Sequence, residues 1–269
     1  MIKLAGATPV FLPCRPETAF ALEPEAVRKA LTPRTKAVLI CTPQNPTGAV
    51  YAEDSLRNLA ALACERDFYL IADEIYEKLI YDGARHFSVA SVSEEVRRRT
   101  VTVNGFSKAF AMPGWRLGYM AAAGDVAKAV ADIQGHMTSA PKSIAQKAAL
   151  AGLTGPQDAV EAMRAEYQRR RDVCYRKLME IPGVVTTEPK GAFYTMAKLP
   201  VDNAEDFQMY LLKEFSDHNE TVMFAPGSGF YATEGAGLSE IRIAYVRCAE
   251  ELERALDLLR IAIERYNSK

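Results

Sequence analysis

Three short apolar runs constrain this chain most: KAVLICTP from Lys36, FYLIADE from Phe68 and TVTVNG from Thr100. Each is short, rich in strand-forming residues and bounded by turn residues, so each reads as a β-strand. Their near-continuous apolar character predicts strands buried on both faces. Between the first two lie a loop, QNPTG, and a helix predicted from about Glu53 to Arg66, with Leu56, Leu59, Ala60 and Ala63 on one stripe. Strands alternating with helices predict an α/β fold: a mainly parallel sheet with helices on both faces. GYMAAAG from Gly118 reads as a fourth strand and Thr8–Leu12 as an earlier β-rich run. Pro24 opens a helix that runs to about Leu31.

From about Asp125 the pattern turns helical. PQDAVEAMRAEYQRRRDVCYRKLMEI, from Pro156, predicts a long helix bridging two domains, with the arginines at 169–171 on a solvated face. Beyond Gly183 come short strand-like segments: VVTTE, GAFYTMAKL, VMFA and IRIAYV. Helices are predicted over 204–218 and 249–266. The division expected is a larger α/β domain over 1–165 and a smaller α+β domain over 166–269.

Composition excludes several function classes. Lys and Arg number 33 against 34 Asp and Glu, so no electrostatic footprint suggests nucleic acid or an anionic membrane as partner. No apolar run approaches the ~20 residues of a membrane span. The first residues, MIKLAGATPVFLP, lack the basic and long apolar regions of a signal peptide. The five cysteines (Cys14, Cys41, Cys64, Cys174 and Cys248) and the three histidines (His86, His136 and His218) are scattered. Neither a disulfide framework nor a metal site is expected, and reduced thiols fit a cytoplasmic protein.

Chemistry gathers where the strands end. In α/β sheets, ligand groups collect beyond the carboxyl ends of the strands. The first strand is followed by Asn45, the second ends in Asp73 with Tyr76 just beyond, and the third leads to Lys108. Arg116 precedes the fourth. Singly, each has a bland reading. Asp73–Glu74 resembles a nucleotide-site acidic pair, yet no phosphate-binding G-x-x-x-x-G-K-[ST] accompanies it. NPTG is a competent turn, an isolated lysine is usually solvated, and a lone arginine usually serves an ion pair. An amide, a carboxylate, a phenol, an amine and a guanidinium expected on one rim are harder to explain that way.

TPQNPTG, IADEIYEKLIYDG, VNGFSKAFAMPGWRLGY and SEIRIAYV together resemble the class I/II aminotransferases. These are fold-type I enzymes dependent on pyridoxal 5′-phosphate, and the resemblance is strongest to the aspartate- and aromatic-type branch. It implies that Lys108 bonds the cofactor aldehyde and serves as general base and acid. Asp73 would pair with the pyridine nitrogen, while Tyr76 and Asn45 would bind the ring's phenolic oxygen. Arg116 would hold the phosphate. Arg242 would grip the substrate α-carboxylate, with Asn45 beside it. Lys108, Asp73 and Tyr76 are the implied catalytic set. The implied reaction moves an amino group between an L-amino acid and a 2-oxo acid, within amino-acid biosynthesis, in a homodimer or other self-associated form. Two alternatives stay open: a non-catalytic remnant with weak cofactor binding, and a lyase on the same fold. The chain departs from the family pattern twice. Gly105 stands where many relatives place a phosphate-touching serine. The family's N-terminal segment, with its phosphate loop and ring-stacking aromatic, is expected to be missing.

Overall fold

β1 (Ala37–Cys41), β2 (Tyr69–Asp73) and β3 (Thr100–Gly105) run parallel in that order, and β4 (Gly118–Ala121) lies antiparallel against β3. The reversal at β4 has a local cause. Gly105 pairs with Gly118, so the chain re-enters the sheet at the end it left, without the crossover a parallel neighbour needs. These strands belong to the first of two units in a computed structural model that describes residues 2–269. That unit comprises the chain up to Thr42, Tyr51–Ile75 and Arg85–Gln157; the second comprises Pro43–Val50, Tyr76–Ala84 and Asp158–Lys269.

In the first unit, α1 (Pro24–Ala30), α2 (Glu53–Arg66) and α3 (Glu94–Arg99) form with the sheet a core of Ile40, Leu56, Leu59, Ala60, Leu70, Ala72 and Val96. α2 carries Glu53 and Asp54 in its first turn and Arg66 in its last, matching the helix dipole. Asp67 ends it in the left-handed conformation. Ser93 caps α3 by accepting from the Val96 N–H at 3.2 Å. α4 (Gly124–Thr138) and α5 (Ser143–Thr154) follow.

Two expectations are corrected here. The strands are not buried on both faces: Ile40, Leu70 and Ala72 are covered, while alternate residues Leu39, Tyr69 and Val103 are 60%, 44% and 37% exposed. The helices that build the core pack on one face, so the period-2 alternation of side chains leaves the other set outward. Thr8–Leu12 forms no strand, and Val10 and Phe11 are 70% and 66% exposed. Pro9 within the run and Pro13 just after it supply no N–H to a ladder.

The second unit holds a sheet ordered β5-β6-β8-β7: β5 (Val185–Thr186), β6 (Tyr194–Lys198), β7 (Ala225–Pro226) and β8 (Glu240–Ala244). All its pairings are antiparallel. α6 (Asp158–Met179) packs on α8 (Ala249–Asn267), and α7 (Ala204–Lys213) is capped by Asn203, whose side chain accepts from the Glu205 N–H at 2.8 Å. Instead of bridging domains, α6 lies wholly within this unit. Its arginines do not share a solvated face either. Arg171 is buried, donating to both carboxylate oxygens of Asp82 at 2.8 Å and to the Pro189 carbonyl at 2.7 Å, with its guanidinium over the Tyr81 ring. Full pairing of the fork makes that burial tolerable.

The NPTG loop is anchored to this unit through Gly48. Its φ is +74°, and its carbonyl accepts from the N–H groups of both Lys190 and Gly191 at 2.9 Å. A Cβ there would sit 2.5 Å from Pro189 Cβ and 2.7 Å from the Tyr194 carbonyl oxygen. Left-handed strain and overpacking add, so Gly48→Ala is expected to cost roughly 2–4 kcal/mol. Gly229, with nothing within 4 Å of an added Cβ, is the control. Thermal unfolding should show a large loss for Gly48→Ala and almost none for Gly229→Ala; equal effects would contradict the anchoring.

Candidate functional site

The six residues singled out by sequence fall into two groups, three in each unit. In the first unit Asp73 ends β2, and Lys108 lies in the turn that follows the adjacent strand β3. Asp73 Oδ1 accepts from the Ile75 N–H at 3.1 Å. Burial raises the Asp73 pKa above the ordinary carboxylate value; the Ile75 hydrogen bond opposes the rise, the neighbouring Glu74 charge adds to it, and the Lys108 ammonium opposes it. The Lys108 charge thus reaches Asp73.

The lysine turn is built by small and aromatic residues. Phe106 and Leu117 pack with Ala145 and Ala149 of α5, flanked by Phe110 and Met112. The Ala111 N–H donates to the Lys108 carbonyl and the Met112 N–H to the Phe106 carbonyl, both at 3.1 Å. Gly105 keeps the two strands close: an added Cβ would lie 3.2 Å from both Gly118 Cα and the Leu117 carbonyl oxygen. That crowding gives a local reason for glycine at this position. Arg116 follows the one-turn helix Pro113–Trp115 in the left-handed conformation, φ 53°, and donates through Nη1 to the Pro113 carbonyl at 2.9 Å.

In the second unit Arg242 of β8 donates through Nη1 to Asn45 Oδ1 at 3.1 Å. Its guanidinium lies over two rings, 4.6 Å from the Tyr194 centroid and 4.8 Å from that of Phe230. Its Nε is buried with no acceptor among the described residues. Tyr76 is buried, donates its hydroxyl to that of Tyr194 at 3.4 Å, and stands edge-on to Phe193 and Tyr194. Asn45, Arg242 and Tyr76 therefore meet through Tyr194. Of the five residues expected on one rim, Asp73, Lys108 and Arg116 belong to the first unit and Asn45 and Tyr76 to the second.

Sequence reasoning missed three residues. Tyr194 and Phe230 were hidden by distance along the chain, since 118 positions separate Tyr76 from Tyr194. A usable signal existed for Tyr194. Pairing β6 with β8 sets Tyr194 opposite Ala244 and Met196 opposite Arg242, and opposed residues share a face, so Tyr194 is diagonal to Arg242. The third is Glu74, read only as half of an acidic pair. It is buried and accepts from Ser88 Oγ at 2.8 Å and lies 2.9 Å from His86 Nε2. Its own N–H donates to the Val103 carbonyl at 2.9 Å. The residue after Asp73 is thereby clamped to β3 and to the 86–88 segment.

The profile of the family described as Aminotransferase class I and II matches residues 1–259. The aspartate aminotransferase of Bacillus sp. (strain YM-2) is 40% identical over 263 residues, which span 95% of this chain and 64% of that protein. Among solved structures, the aromatic aminotransferase from Pyrococcus horikoshii OT3 superposes with a TM-score of 0.90 at 38% identity, covering 99% of this chain and 70% of that one. Aspartate aminotransferase from Thermus thermophilus with maleate gives a TM-score of 0.86 at 39% identity, covering 97% of this chain and 65% of that one. The chain thus spans about 64% of the length of the curated relatives it matches. A match this long, with the lysine, aspartate and arginine motifs inside it, means that the chain belongs to the class I and II aminotransferase family.

Proposed function

We propose that the chain carries the cofactor and substrate groups of an aminotransferase that moves an amino group between an L-amino acid and a 2-oxo acid. The observation that carries this reading is the Asp73–Lys108 pair at the carboxyl ends of adjacent parallel strands. The family implies pyridoxal 5′-phosphate, and the groups present fit it. Burial raises the Asp73 pKa, so a cation beside it, such as a protonated ring nitrogen, would favour its charged form. Arg242 keeps a buried Nε–H without an acceptor, which suits a bidentate carboxylate.

The residue roles follow. When bound, the cofactor supplies a conjugated electron sink for the substrate's Cα electrons. Asp73 holds the proton on the pyridine nitrogen. Lys108 would hold the cofactor at its aldehyde carbon and, once displaced by the substrate amine, would carry the proton from the substrate Cα to that cofactor carbon, as general base and then general acid. Tyr76 and Asn45 hydrogen-bond the phenolic oxygen, and Arg116 holds the phosphate. Arg242 fixes the α-carboxylate and so orients the Cα–H bond. In this reading residues 1–165 form the cofactor-binding part and 166–269 the smaller part. The working form in this reading is a homodimer or other self-associated form, located in the cytoplasm and engaged in amino-acid biosynthesis.

Donors named by the relatives include aspartate and aromatic amino acids, so both are the substrates to assay. Protein given cofactor, L-aspartate or L-phenylalanine, and 2-oxoglutarate is expected to release the donor's 2-oxo acid and form glutamate in equal amounts. Free ammonia in place of glutamate would assign a lyase, and the absence of any product would remove the reading.

A further inference from the structure

Resting on the proposed function, we infer that Tyr194 is a positioning residue joining the cofactor-side phenol Tyr76 to the carboxylate-side guanidinium Arg242. Three observations within the second unit support it. The Tyr76 and Tyr194 hydroxyls are 3.4 Å apart, their rings meet nearly at right angles (81°), and the same Tyr194 ring lies 4.6 Å beneath the Arg242 guanidinium. Tyr194 is itself held fast: it is buried and sits on β6 opposite Ala244 of β8. Its backbone carbonyl lies against Gly48, so the loop bearing Asn45 packs on the same residue.

The chemistry divides between the two ends of the side chain. A phenol has one proton to donate. When the Tyr76 O–H turns to an anionic ring oxygen, its own oxygen can accept, and the Tyr194 O–H, 3.4 Å away, is within reach to donate to it. Such a chain polarises Tyr76 and strengthens its donation. The ring face acts separately: its negative quadrupole holds the guanidinium plane against it, with Phe230 4.8 Å from the same cation. The hydroxyl therefore tunes the cofactor, and the ring orients the carboxylate fork.

Tyr194→Phe and Tyr194→Leu separate these ends. The first readout is the pH midpoint of the bound cofactor's absorbance change; the second is the dissociation constant of maleate. Weaker donation by Tyr76 leaves more charge on the ring oxygen, which holds the proton on the Lys108 nitrogen to higher pH. Tyr194→Phe is therefore expected to raise the midpoint by up to about one unit, the worth of one hydrogen bond, and to change maleate affinity less than twofold. In a Tyr76→Phe background the same substitution should no longer move the midpoint. Tyr194→Leu should add a loss of maleate affinity of at least ~2–5-fold, the lower range for a cation–π contact. An unshifted midpoint in Tyr194→Phe, or the same shift with Tyr76→Phe present, overturns the inference while cofactor uptake upholds the proposed function. Wild-type protein that takes up no cofactor overturns both.

Discussion

Replacing Asp73 by asparagine is expected to cut turnover by roughly 10²–10³-fold or more, the loss seen when a single preorganised charge is removed from a reacting site. Asparagine is neutral and cannot hold a proton on a ring nitrogen by charge. Its amide oxygen can still accept from the Ile75 N–H, which Asp73 Oδ1 engages at 3.1 Å, so the local backbone should survive. The same substitution is expected to stabilise the cofactor-free protein at pH 7. Burial raises the Asp73 pKa above its unfolded value, so above the raised pKa the folded state bears a cost that the unfolded chain does not. That cost fades as pH falls through the raised pKa, and is gone below the unfolded one. The melting temperature of Asp73→Asn should therefore exceed wild type at pH 7 and converge on it in acid. Lower stability at pH 7, or near-normal turnover, would place Asp73 outside the role assigned to it.

Replacing Arg242 by lysine is expected to weaken substrate binding ~10–100-fold while leaving the absorbance of the bound cofactor unchanged. Lysine keeps the charge but loses the planar fork. One charge-assisted hydrogen bond is worth about 1.5–3 kcal/mol, close to one or two decades in affinity. Lysine also gives up the flat contact with Tyr194 and Phe230 and, with it, the orientation that lets Nη1 reach Asn45. KM for the amino donor should rise more than kcat falls. A changed cofactor spectrum with unchanged substrate affinity would place Arg242 at the cofactor instead.

What the sequence revealed and what it hid follow from the range of the interactions involved. Strand ends are local: an apolar run that stops at Asp73 or before Lys108 announces its own terminus, and the parallel order of β1, β2 and β3 follows from the helices between them. The α2 helix was readable because Leu56, Leu59, Ala60 and Ala63 recur on one stripe, and all four are buried. Long-range partners were not readable in that way. Nothing near Arg171 says that Asp82 waits 89 positions away to bury it. Tyr194 enters the site only once β6 and β8 are paired in register. Thr8–Leu12 misled because its strand-forming residues do not offset Pro9 within the run and Pro13 just after it. The strands of the first sheet misled because composition does not say which face a helix will cover.

The central claim is that Lys108 is the residue that bonds the cofactor, and one measurement tests it most directly. Protein equilibrated with pyridoxal 5′-phosphate is reduced with borohydride, digested and mapped by mass spectrometry. The account predicts that the cofactor mass is fixed on the peptide bearing Lys108 and is lost in Lys108→Ala. Labelling of a different lysine, with Lys108→Ala labelled to the same extent as wild type, would contradict it.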